Sequence, residues 1–204
     1  MDRAMFGVYP TVWIEQFTSP LGMDLMSLCY VLYFPLPLVP LVWLYRAGQW
    51  ARLERALLSF LVCYYGGYLG YFAVPAEGPR RHPQIAAMHS GPIEGLVLTR
   101  PINALIDVLE PNKLDTFPSL HAGVLLTTML AAGMVGRRMF WGLVPLAVAI
   151  LISLVYCRYH YVIDIIVGLA WAAGAWVLAG AMYDRWSPRF APHFAPARLA
   201  GATA

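Results

Sequence analysis

Five stretches of this chain run for about 19 to 21 residues without a Lys, Arg, Asp or Glu: Leu25 to Tyr45, Ala56 to Ala76, Phe117 to Gly136, Met139 to Cys157 and Ile165 to Tyr183. A helix needs about 20 residues to cross roughly 30 Å of hydrocarbon, so each run has spanning length. None alternates apolar with polar residues as a barrel strand would, and only helices then satisfy the backbone in lipid. The chain is 60% hydrophobic and 12% charged, about half the charge of an ordinary soluble domain. These features exclude a soluble domain. They predict an all-α, polytopic membrane helical bundle of about five transmembrane helices. Pro35, Pro37 and Pro40 predict that the first of these is broken near its middle.

The two ends differ from this core. Residues 1–20 carry Asp2, Arg3 and Glu15 and lack the uninterrupted apolar stretch of a signal peptide. Trp13, Ile14 and Phe17 can line one face of a short helix, which makes 1–20 an N-terminal segment lying in the membrane interface. Residues 186–204 are rich in Pro and Ala without periodicity and are expected to be a disordered tail. Residues 21–185 then form one membrane domain. Cys29, Cys63 and Cys157 match no zinc or redox spacing and read as small apolar residues. A net charge of +3 does not indicate a nucleic-acid partner.

Short loops give an orientation. Arg46, Arg52 and Arg55, then Arg137 and Arg138, then Arg185, Arg189 and Arg198 share one face when five spans are counted. The positive-inside rule makes that face cytoplasmic. The N-terminus, the 77–116 loop and the 158–164 connection fall on the opposite, extracytoplasmic face, at the plasma membrane in a bacterium.

Ionisable groups at or just inside a membrane face are costly, and they mark function by default. Three separate pieces of this chain carry them: Gly78-Pro79-Arg80, Phe117-Pro118-Ser119-Leu120-His121, and Arg158-Tyr159-His160-Tyr161-Val162-Ile163-Asp164. The parity of the spans alone brings all three to one face. Each piece has a plain structural reading: a headgroup anchor, a helix cap beside an incidental His, an i,i+4 polar pair. Together they make a chemistry. Asp164 can accept from one nitrogen of His160 and leave the other as nucleophile or base. His121 can give a proton to a leaving oxygen. Arg80 and Arg158 offer forks for phosphate oxygens. Ser119 stands at a helix start, where main-chain N–H groups can face an anion. Such a set describes phosphoryl transfer through a phosphohistidine. No acidic cluster is present to hold Mg²⁺, so neither metal nor cofactor is expected. His82, His89 and His193 have no such company and read as loop or tail residues.

These pieces resemble the motifs of the type 2 phosphatidic acid phosphatase superfamily, most closely its inositolphosphotransferase-like branch, which includes inositol phosphorylceramide synthases. Phe117 to His121 resembles Pro-Ser-x-His. Tyr159 to Asp164, followed by Gly168, resembles His-x-x-x-Asp. Pro75 to Arg80 resembles a Pro-rich segment ending in Gly-Pro-Arg. The likeness runs in order over about residues 20 to 183. It implies a helical bundle, usually of six spans, with metal-independent catalysis at the outer or lumenal face. It also implies His160 as nucleophile, Asp164 as its orienting partner, His121 as general acid, and Ser119 and Arg80 as phosphate-binding residues. The chain departs from the family in three places. Ala73 stands where the first motif has Lys, Leu154 stands where the third has Arg, and five spans are visible. Arg158 and Lys113 are the candidates to replace the missing cations.

The expected function is therefore a lipid-phosphate phosphatase or phosphotransferase, with phospholipid or lipid phosphate as its partner and water or an alcohol such as inositol as acceptor. The rival is a non-catalytic membrane protein of the same fold that binds lipid or serves in an assembly.

Overall fold

The computed structural model describes residues 1–110 and 114–194, with main chain only for 188–194. Ten helices follow one another: α1 (Asp2–Phe6), α2 (Pro10–Trp13), α3 (Pro20–Leu32), α4 (Leu38–Arg46), α5 (Trp50–Ala73), α6 (Pro83–Ala86), α7 (Thr99–Leu109), α8 (Leu120–Val135), α9 (Arg137–Tyr156) and α10 (Val162–Phe194). A short 3₁₀ turn, Ile14–Phe17, links α2 to α3. Among the described residues the only β-type pairing is an isolated bridge between Ala76 and Asp115, which closes the base of the long 77–116 loop.

Three helices, α5, α9 and the Val162–Ser187 part of α10, are long and apolar enough to cross a membrane. Only 28 to 33% of their most apolar windows is buried in the protein. Their outward faces are therefore apolar surface of the kind a bilayer covers. The other two runs give shorter helices. The first divides, as its prolines predict, into α3 and α4 with a turn around Pro35 and Pro37. The third begins only at Leu120, because Ser119 caps α8 by accepting from the Ala122 N–H at 3.3 Å. α8 has 16 residues, a rise of about 24 Å. It can be short because it is the hub of the bundle, packed by α5, α9, α10 and α4. Its sequence suits that place: it is apolar on every side, and Thr127 and Thr128 bond back to the Gly123 and Val124 carbonyls.

Close packing at the hub depends on glycine. A Cβ on Gly168 of α10 would collide with the Ser119 carbonyl, and one on Gly67 of α5 would collide with the Leu120 side chain. These contacts draw α5 and α10 onto the first turn of α8.

The ends depart from expectation. α5 starts at Trp50, six residues before its uncharged run, with Arg52 donating to Gln49 and to the Met134 carbonyl. α10 continues to Phe194, past the point where the tail was expected to begin; residues 195–204 lie outside the described residues, as does Lys113. The 1–20 segment exposes Trp13 and Phe17 but is also tied to the bundle. Asp2, 2% exposed, accepts from the Val162 and Ile163 N–H groups at 2.9 and 3.0 Å. A carboxylate there satisfies orphan donors and suits the positive end of the α10 dipole. Asp24 of α3 does the same for α7, accepting from Val97 N, Thr99 N and the Thr99 hydroxyl. In this way the long loop is folded over the bundle.

Candidate active site

α9 ends in a tight turn. The N–H groups of Tyr159 and His160 both reach back to the Leu154 carbonyl, at 2.9 and 3.0 Å. Arg158 sits in the left-handed region at φ 61°, where a residue with a Cβ costs roughly 1–2 kcal/mol. The turn aims His160 at the start of α8. There His160 Nδ1 lies 3.1 Å from the Thr116 carbonyl oxygen. A carbonyl only accepts, so Nδ1 carries a hydrogen, and in the neutral ring the lone pair lies on Nε2. Nε2 in turn lies 3.1 Å from His121 Nδ1. The two histidines, 39 residues apart in the chain, meet face to edge with ring centroids 5.2 Å apart.

Asp164 stands behind this pair. Its Oδ2 accepts from the Tyr161 N–H at 2.9 Å and is 3.7 Å from His160 Nδ1. At 3.7 Å the expected Asp164–His160 hydrogen bond is a longer polar contact, and the atom at hydrogen-bond distance from Nδ1 is the Thr116 oxygen. The main-chain carbonyl of Asp164 also accepts from the Ser119 N–H at 3.0 Å, locking the α10 start to the α8 cap.

Both histidines open onto a cavity of about 970 Å³. Arg80 lines it and is steered by Asn103 Oδ1 and the Tyr159 hydroxyl, each 3.3 Å from Nη1, with its guanidinium carbon 5.6 Å from the Tyr159 ring centroid. Arg81 is at the rim, paired with Asp107 at 2.7 Å. Much of the wall is aromatic, with Tyr30 from α3, Tyr33 and Phe34 from the turn after it, and Tyr64, Tyr68 and Tyr71 from α5.

Two expected phosphate ligands also have partners within the fold. The Arg158 guanidinium donates to Glu15 Oε1 at 2.8 Å and to the Gly91 carbonyl at 2.9 Å, and the residue is 6% exposed. It ties the N-terminal segment to the long loop while also lining the cavity, and sequence spacing does not reveal the contact with Glu15. Ser119 is fully buried, and its hydroxyl oxygen caps α8. His89 is no bare loop residue either. Its side chain is 3% exposed and its Nδ1 is 3.5 Å from Glu15 Oε2. Burial and the nearby Arg158 charge push its imidazole below the usual value.

Glu110 and Tyr30 were not singled out from the sequence, yet both touch His121. Glu110 Oε1 lies 3.0 Å from His121 Nε2 and the Tyr30 hydroxyl lies 2.8 Å from it. Burial alone would raise the Glu110 carboxyl. Hydrogen bonds from His121 and Tyr30, with the charge of His121, hold it below the usual value instead. Nearby Asp115 goes the other way, raised by burial and by Glu110. Helical period was the available signal: Thr99, Ile102, Asn103 and Ile106 fall on one face of an amphipathic helix, α7, and Glu110 at its C-cap continues the spacing.

A model of the PAP2 superfamily matches residues 3–178. The chain belongs to that superfamily. No curated protein and no solved structure matches it. Membership in the PAP2 superfamily carries phosphatase-type activity in general. With three helices long and apolar enough to cross a bilayer, this PAP2 protein is a membrane protein.

Proposed function

We propose that this PAP2 protein is a lipid-phosphate phosphatase or phosphotransferase that works through a phosphohistidine on His160 and needs no metal. The observation that carries this reading is the pairing of His160 Nε2 with His121 Nδ1 at 3.1 Å on the wall of one cavity. His160 Nε2 has the lone pair for attack. As the N–P bond forms and the P–O bond to the lipid breaks, the leaving oxygen takes the His121 Nδ1 proton. In the second half, His121 takes a proton back from water or an alcohol as that oxygen attacks phosphorus and releases His160. Arg80 supplies a planar fork for the phosphoryl oxygens, and this cation, rather than a metal, is assigned the charge stabilisation.

A lipid substrate is supported by the wall beside the polar end. Tyr65, Leu69 and Phe72 of α5 line the cavity and are 67, 69 and 85% exposed, an apolar surface continuous with the lipid-facing side. The Gly78-Pro79-Arg80 and Phe117 to His121 motif forms favour the inositolphosphotransferase-like branch, hence transfer to an alcohol. The deciding experiment is phosphate release from a panel of lipid phosphates and phosphodiesters, with and without inositol, and with excess EDTA. Release or transfer that survives EDTA is expected. Complete loss on chelation, restored by Mg²⁺, overturns the metal-independent route. We place the site on the extracytoplasmic face. Impermeant-thiol labelling of intact cells carrying a single Cys at 116 or 137 tests this, and labelling at 137 alone reverses the assignment.

A further inference from the structure

The His121 ring is gripped on the edge facing away from His160. Tyr30 and Tyr33 lie against it, with ring centroids 5.0 and 4.6 Å from its own, and Tyr30 is itself stacked on Tyr159 at 4.2 Å. Nε2 meets two oxygens, Glu110 Oε1 at 3.0 Å and the Tyr30 hydroxyl at 2.8 Å. The single Tyr30 hydroxyl hydrogen goes to Glu110 Oε2 at 3.1 Å, so the Tyr30 oxygen accepts at Nε2. Both oxygens facing Nε2 are then acceptors, and Nε2 carries a hydrogen. On the other edge, His160 Nδ1 directs its hydrogen at Thr116 O, so one hydrogen is shared across the 3.1 Å between His121 Nδ1 and His160 Nε2. Glu110 lies 3.0 Å from the far side of His121, closer than the 3.7 Å from Asp164 to His160, which favours that hydrogen on His121. In that arrangement His121 is an acid held against its counter-ion.

We propose that Glu110, assisted by Tyr30, is the positioning residue for the general acid, holding His121 by Nε2 so that Nδ1 delivers the proton to the leaving oxygen. The proposal rests on the phosphohistidine reading above. It assigns each contact a part in the step. The His160 Nε2 lone pair forms the N–P bond, the P–O bond breaks toward the leaving oxygen, and the proton leaves His121 Nδ1. His121 ends as the neutral Nε2–H tautomer, still donating to an anionic Glu110. No proton passes to the carboxylate.

Geometry also says which contact yields when substrate enters. A near-attack approach of about 3 Å, a P–O bond and a hydrogen bond of about 2.8 Å cannot fit in the 3.1 Å between the histidines. That gap must open. A hydrogen bond between ionised partners is roughly twice as strong as a neutral one, so His121 stays with Glu110 and parts from His160. The closed pair is then a resting state in which each histidine covers the other. Other titratable groups face this corner as well: Tyr33 from the turn after α3, Tyr64 and Tyr71 from α5, Asp115 from the loop, and Tyr159 and His160 from the α9–α10 turn. Glu110 is the carboxylate in contact with Nε2.

The test is a pair of measurements on the full chain in lipid nanodiscs. In the first, ¹⁵N NMR follows the histidine rings with pH in wild type, Glu110→Gln and Glu110→Asp, with His121 assigned from its loss in His121→Ala. Glu110→Gln should lower the His121 midpoint by about one pH unit or more and Glu110→Asp should recover part of it. An unmoved His121 midpoint overturns the proposal. In the second, Glu110→Gln should slow turnover of an alkyl phosphate by about 10- to 100-fold, move the alkaline limb of kcat to lower pH, and largely spare p-nitrophenyl phosphate. Equal loss on both substrates with an unmoved limb overturns it too, leaving Glu110 a part in folding alone. A wild-type chain that turns over no phosphate sinks the functional reading, while the titration still decides the Glu110–His121 pairing by itself.

Discussion

His160 Nδ1 and the Thr116 carbonyl, 44 residues apart, meet at 3.1 Å, closer than the 3.7 Å from the same nitrogen to Asp164. A main-chain oxygen thus shares with Asp164 the task of keeping the proton on Nδ1 and the lone pair on Nε2. Asp164→Asn should therefore keep the correct tautomer in part. Its turnover should fall about 10- to 100-fold, far short of the roughly 10⁴-fold loss seen when a carboxylate alone holds a catalytic imidazole. Steady-state kcat together with trapping of the phosphoenzyme checks this. A loss equal to that of His160→Ala would show that Thr116 holds nothing.

The two histidines divide the labour in opposite ways. His160→Ala should abolish the covalent intermediate with every substrate. His121→Ala should be slow with alkyl phosphates, whose leaving oxygen needs a proton, by about 10²- to 10⁴-fold. With p-nitrophenyl phosphate it should retain far more activity than His160→Ala does. The comparison is made at matched expression with a thermal-melt control for folding. Equal loss of the activated substrate in both variants would leave the assignment of acid and nucleophile without support.

Arg80 and Arg158 should separate cleanly. Arg80 faces the cavity, so Arg80→Ala should raise KM or lower kcat/KM by about 10- to 100-fold and leave Tm nearly unchanged. Arg158 is buried against Glu15, and removing one partner of a buried pair costs about 3–5 kcal/mol. Arg158→Ala should therefore lower Tm by several degrees with KM for the remaining folded enzyme close to wild type. A KM effect in Arg158→Ala at normal Tm would return that residue to the phosphate clamp.

Acid should loosen the N-terminal segment before the bundle. Burial would raise the Glu15 carboxyl, but Ser90, Arg158 and His89 together bring it below its usual value. A lowered folded-state pKa means that this stabilisation is complete above the unfolded value, about 4.3, and is lost as pH falls toward the folded one. Protection of the first twenty residues from limited proteolysis should hold from pH 8 to 5 and fail below about 4.3. In Glu15→Gln the protection should be weaker throughout and the acid drop flattened. An unchanged profile in that variant would mean that Glu15 does not tie the segment down.

Runs of uncharged residues settled the helical class, because a helix in lipid can be recognised from its length and composition alone. Pro35 and Pro37 marked the break between α3 and α4, since proline removes its own hydrogen bond wherever it stands. Arg80, His121 and His160 line one cavity, a convergence that counting the uncharged runs is enough to expect. The partners of those residues were not legible in this way. Thr116 contributes a carbonyl that any residue could contribute. Arg158 reaches Glu15, 143 residues away in the chain. Glu110 reached His121 only because Asp24 anchors the start of α7 and so sets where its last turn ends. α8 is shorter than its apolar run because Ser119 became its cap, a choice stabilised by the close approach of Gly168. Each of these rests on contacts between segments distant in the chain. Local periodicity carries no record of them, so only the packed tertiary structure decided which polar groups face the cavity and which hold the fold.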